Sequence, residues 1–268
     1  LYDASALVID DADVGGTLTV SAGGAISQID AIHANALTVT TTSGQISLTS
    51  ANNAFNSANL STPGSAWLYD GSLLTLTGAN VGGSLTVLSR HDLTFVSSVQ
   101  AKTGLLAVAG WDGTTVDPAA LVAGTAYANN GGSILVGGAN AQGDVAVGSQ
   151  GGTTTLAANN VTLSATNGYA QLGYHGAGTS AISVYAKGDL TLSGGAQAGR
   201  FAQIGNGGYQ VSGNETGDIY ISAAGNLALN AGSGQAAYTQ IGHGGAQNNS
   251  SSLGYSDTGL ITNSATTA

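Results

Sequence analysis

The stretch ISVYAKGDLTLS, residues 182–193, returns 37 residues later as IYISAAGNLALN, residues 219–230. The apolar positions of the two copies coincide, and so do the glycines near the middle. Apolar and polar residues alternate on both sides of that glycine, and a period of two is typical of a β-strand with one buried face. The repeat therefore predicts two short strands joined by a tight bend.

Further copies of this unit extend the pattern along the chain. Copies occur at residues 18–26, 85–95 and 153–163, and a looser copy occurs at 37–48. A third run, an aromatic residue followed by Ala or Thr, Gln, Leu or Ile, and Gly, occurs at 169–173, 201–205 and 238–242. Equivalent residues recur in the same order after about 30 residues, which favours parallel stacking over hairpins. We therefore predict an all-β fold, a right-handed parallel β-helix with about three short strands per coil and turns rich in Gly and Asn.

The composition is that of a packed chain with many turns. Hydrophobic residues make up 42% and charged residues 7%, with 43 glycines and only 2 prolines, which is unlike a disordered segment. We expect one continuous β-helix over residues 1–268, most regular over 153–245, as an internal piece of a larger protein. Residues 50–72 and 111–132 hold both prolines and both tryptophans. We predict loop insertions there, or strands from an irregular coil.

Charge, apolar run length and cysteine content limit the partners and sites that the chain could have. The net charge is −10, and Lys and Arg total 4. Nucleic acid is therefore disfavoured as a partner, because contacts to phosphates need clustered basic residues. No apolar run approaches the length that crosses a bilayer, so we predict no membrane insertion. The absence of cysteine excludes disulfides and thiolate metal sites.

Several runs resemble a known family. They are GGTLTV at 15–20, GGSLTV at 82–87, GDLTL at 188–192, GNLAL at 225–229, and the aromatic–Gln runs at 169–176, 201–208 and 238–245. These runs resemble the β-helical shafts of filamentous-haemagglutinin-like proteins, the large secreted exoproteins and adhesins of Gram-negative bacteria. The resemblance implies an extracellular or cell-surface location, export by an outer-membrane secretion partner, and a non-catalytic structural or adhesive shaft.

The aromatic–Gln run supplies a candidate contact stripe. If Leu and Ile in this run point inward, alternation places the aromatic residue and the glutamine of each copy outward. The outward residues are Tyr169, Phe201, Tyr238, Gln171, Gln203 and Gln240. Stacked coils would form an aromatic ladder beside a glutamine ladder, and we interpret both as structural. The alternatives are self-association with neighbouring shafts in a fibre or bundle, and binding of host or matrix glycans.

Metal and cofactor sites are weakly supported. Asp10, Asp11 and Asp13 form the only acidic cluster, and their oxygens could hold Ca²⁺. Neither the EF-hand pattern nor the nonapeptide of calcium-binding β-rolls occurs, so we favour a polar turn and expect no cofactor. His175 and His243 fall in the same turn but in different columns, and we predict exposed turn residues instead of a metal row.

The sequence shows no set of residues arranged for acid–base or metal-assisted catalysis. Cleavage of polysaccharides needs carboxylates with a basic or metal partner on adjacent coils. The basic residues are Arg90, Lys102, Lys187 and Arg200. Asp92 and Asp189 share one repeat position with asparagines, a pattern that suits a bend that adopts a left-handed backbone conformation or caps its own backbone. We predict that the protein is not an enzyme; the alternative is a polysaccharide-binding or polysaccharide-cleaving β-helix.

Overall fold

The computed structural model describes residues 1–122, 131–246, 257–258 and 261–263. Within these residues the fold is nearly all-β, with two large sheets of 15 and ten strands and a separate two-stranded sheet. We call the larger one sheet 1 and the ten-stranded one sheet 2. The short helix α1 spans Pro118–Val122. None of the described helical segments is long and apolar enough to cross a membrane.

Sheet 2 has one strand from each repeat. Its strands are β2 (Leu7–Ile9), β4 (Ile26–Gln28), β6 (Ile46–Leu48), β8 (Ala66–Asp70), β10 (Ser84–Ser89), β13 (Gly104–Ala109), β16 (Thr153–Ala158), β19 (Ala181–Ala186), β23 (Ile219–Ala223) and β27 (Ile261–Asn263). Every neighbouring pair is parallel. Ile26 pairs with Ile46 and Ile46 with Ala66, so the early repeats are 20 residues long.

Sheet 1 begins with long strands and then forks. After the two-residue strand β1 (Tyr2–Asp3), the long strands are β3 (Ala12–Ala22), β5 (Ile32–Thr41), β7 (Ala54–Thr62) and β9 (Leu74–Val81). One row of the fork is β11 (Leu93–Phe95), β14 (Ile134–Gly137), β17 (Val161–Ser164), β20 (Leu190–Ser193) and β24 (Leu227–Asn230). The other row is β12 (Val99–Ala101), β15 (Val145–Ser149), β18 (Ala170–Leu172), β21 (Ala202–Ile204) and β25 (Thr239–Ile241). The small third sheet pairs β22 (Glu215–Thr216) with β26 (Asp257–Thr258).

The fork lies at β9, which pairs with two strands of the next repeat. Leu74–Leu76 pair with β11, and Ala79–Val81 pair with β12. Between these two segments Gly78 has a φ of +151°, a conformation that disfavours any residue with a side chain. Repeats before the fork therefore contribute two strands each, and those after it contribute three.

Alternating side chains of both sheets build one apolar core. Along β5, Leu37 and Val39 are buried while Thr38 and Thr40 are partly exposed. The core extends from Ile9 to Ala223, and each fully buried Leu, Ile or Val contributes about 1.5–3 kcal/mol. The parallel register places the residues of successive repeats directly over one another, Ile182 beside Ile219 and Leu190 beside Leu227. This register confirms the alignment of the two repeat copies that the sequence suggested.

The two irregular segments differ from each other. Residues 50–72 are not a loop insertion, because β7 and β8 continue the two sheets and bury Phe55, Leu60 and Leu68. In residues 111–122, Trp111 and Leu121 pack against the outer face of sheet 2 and form a second apolar cluster. Residues 123–130 of the predicted insertion at 111–132 lie outside the described residues.

Candidate functional site

The glutamine column is half of the predicted contact stripe. β18, β21 and β25 pair in parallel and place Gln171, Gln203 and Gln240 beside one another. Their neighbours in the strand, such as Ala170 and Leu172, belong to the apolar core, so the glutamines point away from it. Gln171 and Gln203 are nevertheless 0% exposed, and Gln240 is half-buried. The prediction of an exposed glutamine stripe is therefore wrong.

Backbone carbonyls of the glycine-rich turns cover these side chains. Nε2 of Gln171 donates to the carbonyl oxygen of Gly205 at 2.8 Å. Nε2 of Gln203 donates to the carbonyl oxygens of Gly242 at 3.0 Å and Gly244 at 2.8 Å. The acceptors lie one repeat further along the stack. Since a buried amide is costly unless it is hydrogen-bonded, the column ties each repeat to the next from within.

The aromatic column runs beside the glutamines. The rings of Tyr169 and Phe201 stack at 4.8 Å with an interplanar angle of 12°, and those of Phe201 and Tyr238 at 5.0 Å and 5°. Phe201 is 0% exposed, which corrects its predicted outward exposure. Burial raises the pKa of Tyr238 to about 12 and raises that of Tyr169 as well. The rings form a ladder in which they cover one another's faces, while Tyr169 and Tyr238 stay partly exposed.

The turn after this strand carries a second column, formed by Asn206 and His243. Oδ1 of Asn206 accepts from the backbone N–H of Tyr174 at 3.0 Å. Nδ1 of His243 accepts from the backbone N–H of Asn206 at 3.0 Å, while its Nε2 lies 2.6 Å from the carbonyl oxygen of Gly217. These partners require the neutral tautomer with the proton on Nε2.

The structure corrects the predicted exposure of both histidines. His243 is half-buried and bonded on both ring nitrogens, so it is not an exposed turn residue. His175 is also half-buried and stacks on Tyr169 at 4.6 Å. Burial lowers the pKa of His175, which favours the neutral ring. Their assignment to different columns agrees with the structure.

The carboxylates at the bends have a structural partner. Oδ1 of Asp92 accepts from the backbone N–H of Ser133 at 2.8 Å, and Oδ1 of Asp189 accepts from that of Asn226 at 2.7 Å. Asn160 does the same for the N–H of Asp189 at 2.8 Å. The interpretation that each side chain caps its own backbone is therefore wrong. Each caps the bend of the next repeat, a contact that could not be found without the stacking register.

The three aspartates of the weak calcium candidate are exposed. Asp10, Asp11 and Asp13 lie at the end of the stack that begins the chain. In the part of the chain that the structure describes, no three His, Asp or Glu side chains converge in a way that could hold a metal ion. The structure therefore does not bring these aspartates together as a ligand set.

Comparison with known proteins gives one partial likeness. Residues 1–62 match a family model described as repeats of unknown function (DUF5649). The search of curated proteins and the search of solved structures found no match. The matched residues span β1 to β7, the repeats with two strands each. The columns of Gln, aromatic and turn residues lie beyond them.

Proposed function

We propose that the chain is a segment of a right-handed parallel β-helix, serving as the structural or adhesive shaft of a secreted cell-surface or extracellular filament protein. Each repeat contributes one strand to sheet 2 and one or, after the fork, two strands to sheet 1, and each pairs in parallel with its equivalent in the next repeat. Parallel strands joined by a crossover are right-handed in nearly all known cases, which supports the handedness.

One observation carries the proposal: the side-chain contacts between repeats all lie along the axis on which the repeats stack. The Gln column, the stacked rings, the Asn206–His243 column and the bend carboxylates each join a repeat to its neighbour. Such a stack can be lengthened by further repeats without changing its internal contacts. The ten strands of sheet 2 among the described residues correspond to a rod roughly 45 Å long at about 4.8 Å per strand.

The non-catalytic part of the proposal rests on the acidic side chains. Asp92 and Asp189 are committed to backbone N–H groups of the next repeat. Asp70 is buried and accepts from the backbone of Phe55 at 2.8 Å and of Ser72 at 2.6 Å. Carboxylates used in this way hold the backbone and are not arranged as an acid–base pair.

Location and partners follow from the resemblance to filamentous-haemagglutinin-like shafts. We propose an extracellular or bacterial cell-surface location, export through an outer-membrane secretion partner, and self-association into a fibre or bundle. With a net charge of −10 and only 4 basic residues, we propose no nucleic-acid partner. No cofactor is proposed.

Electron microscopy of the purified protein, combined with a polysaccharide cleavage assay, tests this function. We expect straight rods that associate into fibres, and no new reducing ends from pectin, alginate or xylan. Compact particles that never lengthen, together with shortening of any of these polymers, would show that the protein is an enzyme and not a shaft.

A further inference from the structure

The turn that leads from sheet 1 to sheet 2 changes length along the stack. It spans residues 102–103 between β12 and β13, and residues 150–152 between β15 and β16. In the next two repeats it lengthens to 173–180 and then to 205–218. The short turns at 102–103 and 150–152 therefore lie next to the long turns at 173–180 and 205–218. We call the step between them the ledge.

Two cavities lie at the ledge, of about 790 Å³ and about 610 Å³. Lys102 and Gln150 line both, so the two cavities lie side by side and share these side chains. The smaller is also lined by Asn80, Gln100 and Tyr174, and the larger by Thr179, Ser212 and Asn214. Each volume is within the roughly 300–1,000 Å³ of typical ligand sites.

The polar side chains at the centre of the ledge stand on a fixed backbone. The Lys102 N–H bonds to the carbonyl oxygens of Val81 and Gly83, while its side chain is exposed. The Gln150 N–H donates to Ala101, and its side chain is exposed as well. Side chains held this way present an ammonium and an amide to solvent, and a ligand would not have to order the chain beneath them.

Tyr174 gives the ledge an aromatic surface. Its backbone N–H is held by Oδ1 of Asn206 at 3.0 Å. Unlike Tyr169 and Phe201, it has no other ring stacked on it among the described residues. Amides bind hydroxyl groups as donor and acceptor, and a ring packs against the C–H face of a sugar. The combination is that of a carbohydrate site.

We propose that the ledge binds a neutral oligosaccharide through Tyr174, Gln150, Gln100 and Lys102. The ligand is neutral because Lys102 is the one basic residue among the described residues that line the cavities, and the net charge of −10 opposes polyanions. The described lining contains no carboxylate, so the site binds a glycan without cleaving it. This proposal deepens the adhesive half of the proposed function.

Calorimetric titration of the whole chain with cellohexaose and chitohexaose, and with hexagalacturonate as the anionic probe, tests the site. We expect one neutral hexasaccharide to bind with a Kd of about 1 mM or tighter. Tyr174→Ala and Gln150→Ala should each weaken it at least about tenfold. Lys187→Ala is the matched control, because that exposed lysine lines neither cavity, and its affinity should be unchanged.

Three results would overturn the site: no binding of either neutral probe, binding of hexagalacturonate alone, or binding that both ledge variants leave intact. If the Tyr174→Ala protein does not fold, Tyr174→Phe and Gln150→Ala are measured instead. Tyr174→Phe should keep the affinity for the neutral hexasaccharide, and Gln150→Ala should weaken it. Fibres in micrographs without glycan binding would remove the site and leave the shaft in place.

Discussion

The hydroxyl of Tyr238 donates a hydrogen bond of 3.2 Å to Oε1 of Gln203, one repeat earlier in the stack. This bond joins the aromatic column to the glutamine column. In the preceding repeat Phe201 stands where Tyr238 does, and it has no hydroxyl to offer. Oε1 of Gln171 is correspondingly buried with no hydrogen-bond partner among the described residues.

Phe201→Tyr should therefore stabilise the protein by about 1 kcal/mol, because it supplies the missing donor to Gln171. Gly208 lies beside the site of the new hydroxyl: a Cβ there would lie 3.3 Å from Oε1 of Gln171 and 3.0 Å from Cδ2 and Nε2 of His175, so the His175 ring borders this space. Denaturant unfolding measures the gain. The reciprocal change, Tyr238→Phe, should lose a similar amount, and a destabilised Phe201→Tyr would show that the hydroxyl does not fit.

The glutamine column predicts a graded loss of stability. Gln203→Leu keeps the side-chain volume but removes the donor to the carbonyl oxygen of Gly242 and the acceptor of the Tyr238 hydroxyl, and we expect a cost of about 2–4 kcal/mol. Gln240 is half-buried and its Nε2 bonds to the carbonyl oxygen of His243. Gln240→Leu should cost under about 1 kcal/mol. Equal losses in urea unfolding would contradict the placement of the two side chains.

The sequence predicted the columns but not their burial. Matching spacing within the aromatic–Gln runs was enough to align Gln171 with Gln203 and Tyr169 with Phe201, because a parallel register stacks equivalent residues. Alternation also correctly placed the glutamines away from the core. What covers them is backbone of a later repeat, such as the carbonyl of Gly205. A two-residue period contains no information about that covering turn.

The sequence comparison also missed the length of the early repeats and the sheet to which their strands belong. Leu18 and Leu37 lie in sheet 1, whereas their predicted equivalents Leu85 and Ile182 lie in sheet 2. The apolar–polar–apolar pattern is the same in both sheets, so sequence comparison aligned strands of opposite sheets. The shorter early repeats, in which Ile26 pairs with a residue only 20 positions later, were merged into a longer unit for the same reason.

Asp70 predicts a dependence of stability on pH. Its side chain is buried, and burial raises the pKa of the carboxyl despite three accepted hydrogen bonds. A raised folded-state pKa means that Asp70 contributes most to stability below its unfolded pKa of about 4, and that the contribution is lost as pH rises through the folded value. The melting temperature of the native protein relative to Asp70→Asn should therefore fall between pH 3.5 and pH 7. Parallel profiles would contradict the shift.

The turn column predicts that asparagine can replace histidine at position 243. Asn206 accepts a backbone N–H with Oδ1 and donates to the carbonyl oxygens of Ser180 and Thr216, both at 2.9 Å. His243 does the same with its two ring nitrogens one repeat later. His243→Asn should keep stability within about 0.5 kcal/mol, whereas His243→Ala should cost about 1–2 kcal/mol, because the N–H of Asn206 loses its acceptor.

Urea unfolding of the native protein, His243→Asn and His243→Ala measures both changes in stability. His175→Asn is the comparison variant, since His175 stacks on Tyr169. If His243→Asn were as damaging as His243→Ala, the two side chains would not be equivalent, and the column would end at Asn206.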